Sequence, residues 1–206
     1  MSSQVEKVSA ALYTTGCIKF GSFTLKSGTV SPYYIDIAQL LSSPTEMFMV
    51  ASAIASELKA LHERVDKLAS IELKGALLLP LVAYQAKLPG IVVRKGEKTY
   101  GVKGRIAGTD VVEGDTVVLI DDVVSEGNSK IEAFKILEGL GARVKHLFVV
   151  VDREQGGAQL LEKMGYKVHA LARVSEVVRA LRCLEKINRE QEKTVLQYVQ
   201  AYCQHE

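Results

Sequence analysis

Residues 117–130 read VVLIDDVVSEGNSK, an apolar run that ends in two adjacent carboxylates, Asp121 and Asp122, and passes into a turn of small polar residues. A short, continuous apolar run bounded by a turn fits a strand buried on both faces, and such strands belong to parallel sheets covered by helices. In open sheets of that kind, ligands gather beyond the carboxyl ends of the strands, where the next helix presents unpaired amides. The acidic pair stands at that edge. Acids at a strand end can also simply be solvated, so the rest of the chain has to decide between the two.

From about Leu68 onward, short β-rich runs alternate with helical patterns. The runs are KLASI, GIVVRK, TVVLIDD, HLFVVVD and KVHALA; between them lie GALLLPLVAYQAKL, SKIEAFKILEGLGA and GAQLLEKMG. This alternation predicts a parallel sheet with crossover helices, the last two ended by glycine. Upstream, Ser43–Glu46 (SPTE) reads as a capping box with proline at the first helical position, and Met47, Val50, Ala51, Ile54, Leu58 and Leu61 give that helix one apolar face. Residues 1–42 hold a first helix and the segment FGSFTLKSGTVSPYYID, read as a small hood over the sheet. Residues 43–174 form the α/β core, and residues 175–206 one or two helices. The 206 residues are expected to form one domain.

Composition narrows the partners. With 24% charged and 48% apolar residues and a net charge of +2, nothing calls for nucleic acid. No apolar run approaches the roughly 20 residues of a membrane span, and the N-terminus lacks a signal peptide's apolar centre, so a cytoplasmic protein is expected. Cys17, Cys183 and Cys203 have no metal-like spacing, and His62, His146, His169 and His205 are scattered. Reduced thiols and no zinc site are expected.

The turn after Asp122 spans Ser125–Ser129 and can cradle a phosphate on its amides. It lacks the GK[ST] of a P-loop, and no G-x-G-x-x-G follows a strand. A phospho-receiver domain also uses an acidic pair, but at its first strand, whereas here five elements precede the pair. Carboxylates beside a bare phosphate would repel it; beside a sugar phosphate they can accept its hydroxyls. A second segment, RKGEKTYGVKGR, carries Arg94, Lys95, Lys98, Lys103 and Arg105 against one acid, Glu97. It reads as a mobile cationic loop able to close over a polyanion. In a third, VVVDREQGG, Arg153 could grip a ligand carboxylate in bidentate fashion.

Together LIDDVVSEG, FGSFTLKSGTVSPYYID, VRKGEKTYG and VVDREQGG resemble, in collinear order from about Leu12 to Glu176, the orotate phosphoribosyltransferases of the type I phosphoribosyltransferase family. The resemblance implies an α/β parallel-sheet fold with an N-terminal hood. It implies transfer of the phosphoribosyl group of phosphoribosyl diphosphate (PRPP) to orotate, making orotidine 5′-monophosphate in pyrimidine synthesis. Magnesium (Mg2+) would be held through PRPP oxygens, with no side chain as direct ligand. It further implies a homodimer with shared active sites, the cationic loop reaching into the neighbouring subunit.

Carried onto this sequence, the resemblance assigns Asp121 and Asp122 to the ribose hydroxyls. The segment Val123, Val124, Ser125, Glu126, Gly127, Asn128 and Ser129 holds the 5′-phosphate. Lys98, with Arg94, Lys95 and Tyr100, meets the pyrophosphate, and Lys26 and Lys74 add charge to that pocket. Tyr34, Ile35, Ser125 and Arg153 hold orotate. Lys98, Asp121 and Asp122 are the catalytic candidates. The chain departs from the family pattern at Ser70 and Ile71, at Tyr100, where histidine is frequent, and at Glu126, Asn128 and Lys130. Two alternatives remain open: a non-catalytic PRPP-binding regulator on the same fold, and a transferase for another base.

Overall fold

The structure, a computed structural model, describes residues 3–25, 28–98 and 104–203. The chain opens with helix α1 (Gln4–Thr14), started by a capping box in which Ser3 and Glu6 cap one another's amides. Strands β1 (Ile18–Thr24) and β2 (Val30–Ile35) pair antiparallel, with Ile18 opposite Ile35 and a bulge between Phe20 and Phe23. A 3-10 turn (Ile37–Ser42) leads into α2 (Pro44–Lys59), which buries the apolar face read from the sequence. Leu61 lies beyond its end, partly buried. The expected capping box does not form here, because the Ser43 hydroxyl donates to the Glu46 carboxylate instead of accepting from the helix backbone.

The main sheet contains β3 (Lys67–Ile71), β4 (Gly90–Lys98), β5 (Gly104–Gly108), β6 (Thr116–Val124), β7 (Arg143–Asp152) and β8 (Lys167–Arg173), in the order β5-β4-β3-β6-β7-β8. Between strands run α3 (Lys74–Ala86), α4 (Asn128–Gly139) and α5 (Gly157–Lys163); α6 (Val174–Cys183) and α7 (Arg189–Cys203) close the chain. All neighbours pair in parallel except β4 and β5, which pair antiparallel with Val93 opposite Ile106. Strand β5 was not expected: GRIAG has only two apolar side chains between glycines, too few to show a period of two.

The parallel strands read as unbroken apolar runs because both faces are covered. Leu68, Val118, Ile120, Phe148 and Val150 join α1, α2, α3, α6, α7 and the β1–β2 hairpin in one cluster. Their neighbours Ala69, Val117, Leu119, Leu147 and Val149 join α4 and α5 in the other. Burying one such side chain contributes roughly 1.5–3 kcal/mol, so these central strands form a rigid floor for what stands at their ends. Among the described residues, no helix is long and apolar enough to cross a membrane.

Candidate active site

From β3 the chain moves to β4 on one side, and β6 then returns to the other side of β3. A crevice therefore opens beyond the ends of β3 and β6, the place where ligands of such sheets bind. Three elements converge there. A methyl group at Gly75 would lie 2.2 Å from Asp121 Oδ1 and 2.8 Å from Ser70 Oγ, so only glycine lets α3 begin against the Asp121 carboxylate. Asp121 is buried, and Lys130 Nζ, equally buried on α4, lies 2.7 Å from its Oδ2. Burial pushes the Asp121 carboxyl up to about 6; Lys130 pulls against this, and the neighbouring Asp122 adds to it. Asp122 itself is half-buried, and its side chain makes no hydrogen bond or ion pair among the described residues.

The turn beyond β6 is tighter than expected: Ser125–Gly127 form it, and Asn128 and Ser129 already belong to α4. Gly127 caps α4 at φ +87°, a left-handed conformation that favours glycine, and no side chain caps the helix. The Lys130 N–H donates to the Gly127 carbonyl at 2.9 Å, which leaves the amides of Asn128 and Ser129 as donors with the helix dipole behind them. Val124 is buried and Val123 partly so, and both pair with β7, the Val124 carbonyl accepting from Arg153 N at 2.9 Å. Glu126 and Asn128 are exposed and bonded to each other, Asn128 Nδ2 donating to Glu126 Oε2 at 3.5 Å.

The hairpin meets this crevice through two contacts. Lys74 Nζ lies 2.9 Å from Asp36 Oδ1 and 5.9 Å from the centre of the Tyr34 ring. Burial works against the Lys74 charge, but Asp36 outweighs it and holds the ammonium above its ordinary value, with Tyr34 and Asp122 also contributing. Farther along, Arg153 Nε donates to the Tyr33 hydroxyl at 3.3 Å, and its guanidinium stands 5.1 Å from the centre of that ring. Arg153 Nη2 is buried with no partner among the described residues. Tyr33 is fully buried and backed edge-on by Tyr198 of α7, 5.9 Å away.

Not every assigned residue comes together in this way. Ile35 alternates with Tyr34 and points into the core, so only its backbone faces the site side of the hairpin. Arg94 is tied across the β4–β5 pair, donating to the Gly104 carbonyl at 3.1 Å. Lys95 is exposed, its N–H donating to Glu72 Oε2 at 3.2 Å beside the start of α3. Lys26, Tyr100 and the side chain of Lys98 lie outside the described residues. Tyr33, Asp36 and Tyr198 had been given no role, although YYID is part of the hood motif; Tyr198 offered no local signal at all.

The chain matches a family model described as "Phosphoribosyl transferase domain" over residues 36–171. It is 41% identical over 165 residues to the orotate phosphoribosyltransferase of Pyrococcus horikoshii, covering 80% of this chain and 88% of that one. Among solved structures it is similar to the UMP synthase of Leishmania donovani, with TM-score 0.87 and 32% identity. That match covers 97% of this chain but only 43% of the longer one. The orotate phosphoribosyltransferase of Aeropyrum pernix shares the fold, with TM-score 0.71 at 24% identity, covering 88% of this chain and 99% of the other.

Proposed function

The chain belongs to the orotate phosphoribosyltransferases within the phosphoribosyl transferase family, and we propose from this a division of labour among the residues of its crevice. The enzyme transfers the 5-phosphoribosyl group from PRPP to orotate, giving orotidine 5′-monophosphate and pyrophosphate in pyrimidine biosynthesis. The observation that carries the division is the single strand-turn-helix unit running from Asp121 to Ser129. It sets two carboxylates beside a helix N-terminus whose amides are uncapped. That pairing suits a ligand with hydroxyls at one end and a phosphate at the other.

In this reading the amides of Ser125–Ser129 hold the 5′-phosphate, while Asp121 and Asp122 accept from the ribose hydroxyls. Lys74 and Lys95 flank the pyrophosphate, joined by Lys26, Arg94, Lys98 and Tyr100. Arg153 takes the orotate carboxylate on its free Nη2, and Tyr34 lies against the ring. A ring nitrogen of orotate attacks the anomeric carbon. The C–N bond forms as the C–O bond to pyrophosphate breaks, through a state with oxocarbenium character. Negative charge grows on the departing pyrophosphate, so Lys98 stabilises the transition state more than the ground state. The ring N–H proton passes to the departing pyrophosphate as the bond forms, and no histidine base is needed.

The donors present would suit magnesium: the half-buried Asp122 carboxylate, beside Asp121 and within the field of Lys74, could accept from water or hydroxyl on a substrate-held ion. When bound through PRPP it supplies further charge neutralisation at the leaving group.

We further propose a cytoplasmic homodimer working on small molecules, without a nucleic-acid or membrane partner. Support comes from the two ends of α3, where Leu73 just before the helix is 62% exposed and Tyr84 near its end 82%, with the partly buried Leu77 and Leu81 between them. The activity is tested by the loss of orotate absorbance on mixing the protein with PRPP, orotate and magnesium, with uracil and hypoxanthine tried separately. Consumption of orotate alone is expected. PRPP binding without turnover on any base would support the regulator instead.

A further inference from the structure

Lys130 has no part in the division of labour above and departs from the family pattern, yet it is among the most enclosed charged residues of the chain, 6% exposed. Its Nζ lies 2.7 Å from Asp121 Oδ2 and 3.4 Å from the hydroxyl of Ser129, in the first turn of α4. The walls around this contact are close. Ser70 Oγ is buried without a hydrogen-bond partner among the described residues, and the Gly75 backbone packs against Asp121 Oδ1.

A buried carboxylate with no countercharge takes up a proton and becomes partly a donor, which spoils it as an acceptor for a sugar hydroxyl. Asp121 is exposed to that fate from three sides: burial, the like charge of Asp122, and no hydrogen bond from Ser70. The only cation within ion-pairing distance among the described residues is Lys130. An ion pair this enclosed is weak evidence for stability, because desolvation offsets most of the attraction. Its effect falls on the ionisation state of one carboxylate.

We propose that Lys130 is a positioning residue of the ribose site: its buried ammonium keeps the Asp121 carboxylate ionised and turned so that its free oxygen accepts a ribose hydroxyl. This rests on the assignment of Asp121 to the ribose.

The groups facing Asp121 are Asp122 on its own strand, Lys130 on α4, and the neutral Ser70 and Gly75 on β3 and α3. Without Lys130 the carboxyl rises further above the ordinary carboxylate range, so the ionised form is reached only at higher pH.

The test measures kcat/KM for PRPP against pH in the wild type, Lys130→Met and Lys130→Gln. Thermal unfolding identifies variants that do not fold. Glutamine leaves a donor for Asp121 without charge and carries the test should the methionine variant fail to fold. The expected result is an acid limb displaced upward by about one pH unit, with the KM for PRPP about twofold higher at pH 7 and rising toward roughly tenfold higher below pH 6, and an orotate KM little changed. A folded variant with the wild-type acid limb and PRPP KM overturns the proposal. If the wild type itself shows no turnover, the assigned activity fails first, and PRPP binding by calorimetry against pH in the same three proteins decides the role of Lys130 alone.

Discussion

Arg153 divides its guanidinium between two duties. Its Nε donates to the Tyr33 hydroxyl and its guanidinium stands 5.1 Å from the centre of that ring, while Nη2 is buried with no partner among the described residues. A carboxylate arriving there forms charge-assisted bonds worth about 1.5–3 kcal/mol, equivalent to roughly 10–100-fold in affinity. Arg153→Ala is therefore expected to raise the KM for orotate by about that factor and the KM for PRPP by far less. Arg153→Lys should recover only part, because a single ammonium lacks the planar fork. Steady-state kinetics in both substrates decide it, and equal effects on the two constants would remove Arg153 from base recognition. At this scale the places of the acidic pair, the strand-to-helix turn and Arg153 were legible in the sequence because each belongs to a run of consecutive residues at one strand's end. The Lys74–Asp36 and Tyr33–Arg153 contacts were not, since they join residues far apart in the chain. The same holds for His146 and His169. They seemed scattered in sequence order, yet β7 and β8 pair side by side and bring their ring nitrogens to 2.9 Å.

Helix α7 is the element whose contribution the sequence concealed most. Its Tyr198 stands edge-on to Tyr33, receives a hydrogen bond from Gln155 at 3.5 Å, and lies within hydrogen-bond distance of Tyr202. The tail thereby supports, from behind, the residue that orients Arg153. Removing this ring leaves a gap costing roughly 2–4 kcal/mol, or about 4–16 °C in melting temperature for a chain of this size. Tyr198→Ala should show that loss in thermal unfolding together with a several-fold higher orotate KM. A lowered melting temperature with unchanged orotate KM would make α7 packing material only. Elements built on strong periodicity were read correctly, KLASI to the residue, because burial on both faces leaves an unmistakable apolar run. Strand β5 was missed because backbone pairing with β4, more than its side chains, holds it. The Ser43 cap failed for another reason: in the same four residues the serine hydroxyl can donate to the glutamate directly, and spacing cannot tell the two arrangements apart.

On the scale of the whole molecule, the sheet order was not legible from sequence, since alternation predicts neighbours but not the point where the order turns back. That turn between β3 and β6 decides where the crevice opens. The exposed apolar surface along α3 begins with Leu73 beside this same crevice, so a second subunit docked along the helix would lie next to the site. Tyr84→Glu sets a charge at the far end of such a contact and is expected to yield monomers in sedimentation, with most of the turnover lost. A dimer unaffected by the substitution would exclude this face, and a fully active monomer would exclude shared sites.

Two main-chain bonds, Arg153 N to the Val124 carbonyl at 2.9 Å and Gly157 N to the Ser125 carbonyl at 2.8 Å, lock the phosphate turn to the loop that carries the arginine. The molecule thus contains a calliper made of backbone. The span between the turn proposed for the sugar's phosphate and the main chain from which the arginine springs is set by peptide geometry. On the proposed reading, side-chain substitutions along the crevice would weaken either grip without moving its anchor, and a nucleotide product of a different length would have to be met by the reach of the arginine alone.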